Sequence, residues 1–194
     1  MLKGIAFSIV GFIVISLVWM ALGGISGTVS YENRPEIDTV ELENEIIELT
    51  NAQRSKHGVR ALSIDDRLIE LARNHSQDMV QRNYFSHNSP EGNDPTDRAE
   101  LQGFRCEKRV GDYIYAGVAE NIFQNNLYDG YTTLNGATSS YDWNTMNEIA
   151  QSTVQGWMES PGHKENILDR TYDGIGIGVT ISENDKVYIT QNFC

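Results

Sequence analysis

The stretch Trp157–Gly178, WMESPGHKENILDRTYDGIGIG, contains a helix end, an enforced turn, a second helix start and the beginning of a strand. Pro161 fits the first turn of a helix but not its interior, and it moves Ser160 away from helical geometry. We therefore predict that one helix ends at Glu159 and that Ser160 caps the next. Glu159 and His163 flank this turn, so a carboxylate and an imidazole can point to one place, as in a metal or acid–base pair. Taken alone, two such residues beside a loop are more often an ordinary surface pair.

The amino-terminal region is apolar. Residues 4–25 contain no charged side chain and follow Lys3. As a helix this run would extend about 33 Å, enough to cross the hydrocarbon core of a bilayer. A cleaved signal peptide is the alternative, with Ala21–Gly23 as its small-residue cleavage site, although the apolar part of a signal is usually shorter. The sequence predicts a single-pass cell-membrane anchor with the remainder outside, or a secreted protein if the segment is cleaved.

The chain accordingly divides into an anchor or signal segment at 1–25, a polar linker at 26–38 and one domain at 39–194. It contains 27 Asp and Glu against 15 Lys and Arg, a formal net charge of −12. This charge argues against nucleic acid as a partner and against binding to an anionic lipid surface. Cys106 and Cys194 both lie in the exported part, where a disulfide can persist; two free thiols are the alternative.

Periodicity and turn residues predict helices that precede and flank a small, mostly antiparallel sheet. Residues 124–144 are rich in Asn, Gly, Ser and Thr, and we interpret them as a long loop that is either functional or mobile. We expect its aromatic side chains to pack against the domain; stacking on sugars or peptides is the alternative. The helices are predicted at 39–57, from Ser63 onward, at 96–103 and at 146–159, and the strands at 112–122, 175–181 and 187–193.

Three further residues stand out by their positions. His75 lies on the apolar stripe of the second helix, which favours a core histidine over a ligand. His87 follows that helix at the edge of a polar loop, a common place for a functional histidine. Glu120 interrupts an apolar run, where a carboxylate is costly to bury unless it is paired.

Several short motifs occur in an order and spacing that resemble one known family. They are Asn51–Arg54, Tyr84–His87, Ala119–Ile122, Trp157–His163, Ile175–Gly178 and Tyr188–Phe193. From about Ile46 to Phe193 the sequence resembles a CAP domain, also called an SCP-like extracellular domain. This superfamily contains cysteine-rich secretory proteins, insect venom antigens and plant pathogenesis-related proteins, and the match is to its bacterial and archaeal form.

The resemblance implies an α+β fold, a three-layer α-β-α sandwich with a central, mostly antiparallel sheet. It also implies a groove with a His-Glu-Glu-His tetrad, here His87, Glu120, Glu159 and His163. Some family members bind a divalent cation through the two histidines with the glutamates nearby. Neutral imidazoles suit zinc or a similar metal, so these four residues are the expected metal site.

The sequence departs from the family at three places. Ala119 replaces the usual glycine before Glu120. The segment Gly162–Leu168 stands where animal and plant members have a different histidine box. The several disulfides of eukaryotic members are missing, with at most Cys106–Cys194 here, so the activities of those members are not transferred.

Two functions from different classes follow, together with a structural alternative. The first is a ligand- or partner-binding module that presents its groove to a lipid, glycan or peptide. The second is a metal-dependent peptidase or esterase with Glu120 or Glu159 as general base. A serine nucleophile is a weaker possibility, because neither Ser86 nor Ser160 lies in a Gly-x-Ser-x-Gly turn. The third is a tetrad that only holds the layers together as a buried polar network.

Overall fold

The computed structural model describes residues 33–194. The predicted anchor or signal segment at 1–25 lies outside the described residues, as does most of the linker. Within residues 33–194, none of the helices is both long and apolar enough to span a membrane. The helices are α1 Thr39–Lys56, α2 Asp66–Arg82, α3 Pro95–Leu101, α4 Met146–Glu159 and α5 Pro161–Leu168. The strands are β1 Ser63–Ile64, β2 Glu107–Val110, β3 Tyr113–Ala116, β4 Ala119–Asn126, β5 Tyr128–Leu134, β6 Ala137–Trp143, β7 Gly174–Ile181 and β8 Lys186–Phe193.

The main sheet has four strands in the order β1-β7-β8-β4. Only the short β1–β7 pair is parallel, and the β7–β8 and β8–β4 pairs are antiparallel. The predicted closing hairpin is therefore confirmed, with Ile175 opposite Phe193 and Ile181 opposite Val187. Two antiparallel ribbons, β2–β3 and β5–β6, form separate two-stranded sheets.

Two glycines of β7 allow α2 to lie directly on the sheet. A Cβ atom at Gly176 would be 2.2 Å from the backbone nitrogen of Ile69, and one at Gly178 would be 2.1 Å from that of Arg73. Both distances are far below any real Cβ contact, so no other residue type fits at these positions without moving the helix. The IGIG motif thus sets how closely α2 approaches the sheet.

The opposite face of the sheet carries the main apolar core. Successive side chains on a strand point to opposite faces, and Ile175 and Ile177, which alternate with the two glycines, are fully buried with residues of α1, α4 and α5. Trp157 of α4 is also fully buried, and its indole N–H donates to the carbonyl of Ile122 at 3.1 Å. Helices therefore cover both faces of the sheet, which confirms the predicted α+β sandwich.

One buried carboxylate occupies part of the β7 edge of the sheet. Because β1 pairs with β7 only at Gly174 and Ile175, the rest of the β7 edge has no partner strand among the described residues. Glu43 of α1 is 3% exposed and accepts the backbone N–H of Val179 at 3.1 Å. The guanidinium of Arg73 neutralises Glu43 at 2.5 Å, which links α1 to α2 around this edge.

The second helix begins later than the sequence analysis predicted. Ser63 does not cap it, because Ser63 and Ile64 form β1, and the side chain of Asp65 caps α2 by accepting the N–H of Arg67. The short third helix, predicted at 96–103, lies at Pro95–Leu101, because Asp94 forms a capping box at its start.

Residues 124–144 are not the predicted long loop. The strand β4 continues to Asn126, and β5 and β6 then form a ribbon. Asn135 and Gly136 both have positive φ at its tip, the Asn-Gly signal of a tight hairpin. Tyr128 lies opposite Trp143 across the ribbon, and their rings pack edge to face. The aromatic side chains therefore pack largely against one another and stabilise the ribbon.

The two cysteines form a disulfide, Cys106–Cys194, with a Cα–Cα distance of 5.6 Å. The alternative of two free thiols is therefore wrong. The bond joins residues 88 positions apart. In the chain-entropy account, closing a loop of this length stabilises the fold by about 4–5 kcal/mol.

The contact between β7 and α2 predicts a large difference between two glycine-to-alanine variants. We expect Gly178→Ala to lower the free energy of unfolding by about 3 kcal/mol or more, because the new methyl group overlaps backbone atoms of α2. Gly162→Ala in α5 meets nothing within 4 Å, and it should be neutral or stabilising by up to about 1 kcal/mol. Urea unfolding followed by circular dichroism measures both, and equal stabilities would contradict this account of the interface.

Candidate functional site

Glu120 is the centre of the candidate site. It is the second residue of β4 and is 6% exposed. Its Oε2 accepts from Nη2 of Arg98 at 2.5 Å, and its Oε1 accepts from Nδ1 of His87 at 3.0 Å. With the amide of Asn192 oriented to satisfy its neighbours, its nitrogen donates to Oε2 of Glu120 at 3.1 Å. Both carboxylate oxygens are thus occupied, as the cost of burying this charge requires.

Arg98 is a residue of this candidate site that the sequence analysis missed. Its guanidinium on α3 binds Glu120 and also donates to the backbone carbonyls of His87 at 2.6 Å and Asn93 at 3.1 Å. One cation therefore neutralises the carboxylate and fixes the loop that carries His87. The available signal was that a buried glutamate needs a cation, but the sequence did not identify which of the 15 Lys and Arg supplies it.

His75 is buried, as its position on the apolar stripe predicted. Its Nε2 lies 3.0 Å from the carbonyl of Ser86, so this nitrogen carries the proton and donates. The same nitrogen is 3.8 Å from Oε1 of Glu120. Burial lowers the pKa of His75, an effect that Glu120 opposes and Arg98 reinforces, so the imidazole is neutral at pH 7. His75 thereby holds the start of the loop that leads to His87.

His163 approaches His87 from the other helical layer. It is the third residue of α5, and its ring centroid is 6.3 Å from that of His87 with an interplanar angle of 58°. Among the described residues, its imidazole makes no hydrogen bond, so its ring nitrogens are free to bind a ligand. Burial lowers the pKa of His163, and the neighbouring His87 lowers it further.

An amide network holds the backbone of His163 against the sheet. Asn121, fully buried, donates to the carbonyl of His163 at 3.1 Å and to Oε1 of Gln191 at 2.9 Å. The amide of Asn166 in α5 donates to the carbonyl of Glu120 at 3.2 Å and to Oδ1 of Asn121 at 2.9 Å. The start of α5 is therefore fixed relative to β4.

Glu159 lies apart from the other three predicted site residues. Side chains on a helix point back towards its N-terminus, and the exposed carboxylate of Glu159 accepts from Nε2 of Gln155, one turn earlier, at 2.8 Å. It borders a cleft of about 400 Å³ between α1 and α4. Within residues 33–194 it shares no hydrogen bond or ion pair with His87, Glu120 or His163, so its role in the tetrad stays a prediction.

The structure therefore brings together two imidazoles, one of which, His87, is hydrogen-bonded to the carboxylate of Glu120. Across the described part of the chain, no cluster of three or more His, Cys, Asp or Glu side chains is arranged to hold a metal ion. Any ion at His87 and His163 would have two protein ligands and would need water or a bound molecule to complete its coordination. Such a site exchanges ligands more readily than a closed structural zinc site.

Comparison with known proteins identifies the family. Residues 47–193 match the CAP family, described as the Cysteine-rich secretory protein family. The chain belongs to this family. The fold implied by the sequence resemblance is therefore confirmed. Two of the motifs that carried the resemblance, residues 119–122 and 157–163, supply Glu120 and His163 to the candidate site.

The CAP domain has relatives in bacteria. It is 36% identical over 165 residues to the uncharacterized membrane protein YlbC of Bacillus subtilis (strain 168), covering 85% of this chain and 37% of that protein. It is 32% identical over 151 residues to the uncharacterized protein YkwD of the same organism, covering 78% and 46%. The chain thus spans less than half the length of these curated relatives.

A solved structure shows the same fold. The chain matches an extracellular protein containing an SCP domain from Bacillus anthracis str. Ames with a TM-score of 0.57 and 30% identity, over 80% of this chain and 40% of that one. Relatives of this CAP domain therefore include one protein named as a membrane protein and one described as extracellular.

The ion pair between Arg98 and Glu120 predicts that a single variant loses more stability than a double variant. Arg98→Met removes the cation and leaves a buried carboxylate uncompensated, so we expect a loss of about 3–5 kcal/mol in unfolding free energy. The double variant Arg98→Met/Glu120→Gln removes both charges and should recover a substantial part of this loss. Chemical denaturation of the wild type, Arg98→Met and the double variant measures these differences in unfolding free energy. A double variant less stable than Arg98→Met would contradict the assignment of Arg98 as the partner of Glu120.

The histidines predict a loss of stability in mild acid. Because the folded pKa values of His75 and His163 lie below the ordinary 6.5, the unfolded chain binds more protons as the pH falls. Their contribution to stability is present above pH 6.5 and decreases as the pH falls towards the folded values. Unfolding free energies at pH of about 7.5 and about 5.5 test this. His163→Asn should reduce the difference, and an unchanged difference in this variant would refute the assignment.

Proposed function

We propose that this CAP domain is an extracytoplasmic binding module. Its groove at His87, Glu120 and His163 receives a lipid, glycan or peptide and holds a divalent cation such as zinc. The observation that supports the proposal is the pair of imidazoles, His87 and His163, whose ring centroids are 6.3 Å apart. The carboxylate of Glu120 accepts a hydrogen bond from His87. His87 is 45% exposed, so a ligand can reach the pair from solvent.

The donor set fits a transition-metal ion. In the tautomer whose Nδ1–H donates to Glu120, Nε2 of His87 carries the lone pair that can bind an ion. A carboxylate behind a histidine ligand orients the ring and raises its basicity. The lowered pKa of His163 keeps its imidazole neutral, and therefore able to bind a metal, at pH 7.

The spacing of the His87 and His163 rings is also compatible with one shared zinc ion. Two imidazoles that bind one tetrahedral zinc ion at about 2.1 Å have ring centroids roughly 5 Å apart. The observed 6.3 Å must therefore close by about 1 Å, a change that rotation of the half-exposed His87 side chain can supply. When bound, the ion would supply a Lewis acid with open positions for a polar group of the ligand.

The arrangement of the carboxylates favours binding over hydrolysis. A general base must have a lone pair within reach of the water that it activates. Both oxygens of Glu120 accept hydrogen bonds from charged or polar donors, and Glu159 bonds to Gln155 on the α1–α4 side. A metal-dependent peptidase or esterase remains the alternative, and loss of ester or peptide hydrolysis on Glu159→Gln would support it.

We also propose that residues 4–25 anchor the domain to the cell membrane with the CAP domain outside. The uncharged length of this segment supports an anchor. The relative YlbC, which covers 85% of this chain, is named as a membrane protein. A disulfide such as Cys106–Cys194 persists in oxidising compartments outside the cytosol, which supports the same placement.

The metal proposal predicts how three histidine variants differ. We expect zinc to bind the full chain with one strong site, measured by isothermal titration calorimetry at pH 7. The double variant His87→Ala/His163→Ala should lose this site, with affinity reduced by at least about 100-fold. His57→Ala, at the exposed end of α1, is the matched control and should bind as the wild type does. Retention of full affinity by the double variant would disprove the ligand assignment.

A further inference from the structure

The β5–β6 ribbon presents apolar side chains that the candidate groove does not use. The rings of Tyr128, Tyr131, Tyr141 and Trp143 contact one another, so they lie on one face of the ribbon. Tyr131 nevertheless stays 60% exposed, and Leu134 at the tip is 66% exposed. Exposed apolar side chains that are grouped rather than scattered mark an interaction surface.

The two faces of the ribbon differ in chemistry. Tyr131 lies opposite Tyr141 on the aromatic face, and the next cross-strand pair, Thr132 and Ser140, lies on the other face. The hydroxyl groups of this second pair are hydrogen-bonded at 2.7 Å. Residues 130–141 contain no charged side chain. The ribbon is therefore amphipathic without being charged.

The chain enters the domain at the base of this ribbon. The guanidinium of Arg34 bonds to the carboxylate of Asp185 in the β7–β8 turn at 2.7 Å. The backbone carbonyl of Asp185 accepts the N–H of Leu127 at 2.7 Å, and the carbonyl of Leu127 accepts the N–H of Asn144 at 2.9 Å. Since Leu127 precedes β5 and Asn144 follows β6, Arg34 and the base of the ribbon are joined through one turn.

The base of the ribbon is also close to the proposed membrane anchor. The inference rests on the proposal that residues 4–25 form this anchor. From residue 25 to Arg34 an extended chain reaches at most about 30 Å. The seven residues of β5 extend about 23 Å. The ribbon therefore spans most of the largest possible distance between its base and the bilayer, and all of it when the linker is less than fully extended.

Charge favours the membrane over a second copy of the chain as the partner of the ribbon. The formal net charge of −12 makes two copies repel each other. Tyrosine and leucine side chains without nearby charges suit the boundary between lipid headgroups and hydrocarbon, where an aromatic ring is in an apolar layer and its hydroxyl group is in water. Because the ribbon carries no Lys or Arg, its contact with lipid does not depend on anionic headgroups.

We propose that the β5–β6 ribbon is a second membrane contact, which inserts Tyr131 and Leu134 into the surface of the bilayer that holds the anchor. Glu120 lies six positions before Asn126 on β4, so about 20 Å separates Glu120 from the end of the sheet that bears the ribbon. Contact through both the anchor and the ribbon holds the domain in one orientation, with the candidate groove about 20 Å further from the lipid than the base of the ribbon.

A spin label at the tip of the ribbon tests the proposal. Cys106 and Cys194 are the two cysteines of the chain and form a disulfide, so Leu134→Cys provides one free thiol for the label. The full chain is placed in nanodiscs of phosphatidylcholine. Electron paramagnetic resonance then measures how readily oxygen, which concentrates in the bilayer, and a nickel complex, which stays in water, reach the label.

Leu101 is the matched control position. It is 75% exposed and lies in α3. This helix is at the opposite end of β4 from the ribbon, because the hydroxyl of Thr96 accepts the N–H of Val118 at 3.0 Å. A label on Leu101→Cys should therefore stay in water in the same nanodiscs.

We expect the label at position 134 to lie about 5–10 Å below the lipid phosphates, where oxygen reaches it and nickel does not. Adding anionic phosphatidylglycerol should not move it deeper. Tyr131→Asp should return this label to water, because a carboxylate is unfavourable at an apolar boundary. Tyr113→Asp, at a tyrosine of the β2–β3 ribbon that is 73% exposed, should leave the label in the bilayer.

The proposal is overturned if nickel reaches the label at position 134 as readily as the label at position 101, or if insertion requires anionic lipid. Spin–spin broadening between labels at position 134 would identify a second copy as the partner and would also overturn it. Retention of the chain in the nanodiscs reports separately on the anchor. Loss of the chain from the nanodiscs refutes both proposals, whereas a retained chain with a water-exposed label refutes only the contact of the ribbon.

Discussion

The absence of side chains at Gly176 and Gly178 is the constraint on which the site depends. Because these two residues present only backbone, α2 lies directly on β7 instead of about one side-chain layer further away. This approach brings His75 within reach of Glu120 on the same side of the sheet. The hydrogen bond from His75 to Ser86 then starts the following loop at a fixed place, and His87 lies one residue beyond it.

Because β4 is pleated, adjacent residues of this strand contact different helical layers. Glu120 faces the α2 layer, where it binds His87 and is neutralised by Arg98. Asn121 points to the opposite face, where it holds the carbonyl of His163. Two neighbouring positions of one strand therefore control the two helical layers separately. The histidines meet at the rim of the sheet because each is tied to its own side of the same strand.

The family motifs predicted the fold and three residues that the structure brings together, His87, Glu120 and His163, because residues such as Gly176 and Pro161 leave a local signal in the sequence. The separation of Glu159 from the others was not predictable, since it depends on a side-chain direction along α4. Arg98 was also missed. It contacts Glu120, which lies 22 positions further along the chain, and no local sequence pattern indicates this contact. The β5–β6 ribbon was misread although its Asn-Gly turn was visible, because its polar composition indicated a loop.

The carboxylate of Glu43 at the border of β7 has a consequence for solubility. An unpaired strand edge is a template on which another copy of a protein can add a strand, and such growth leads to aggregation. Glu43 already accepts a hydrogen bond from the N–H of Val179, and Arg73 neutralises its charge. A second molecule would have to displace this buried carboxylate and separate it from Arg73 before it could pair with the strand at Val179, so Glu43 protects this part of the β7 edge without a covering strand.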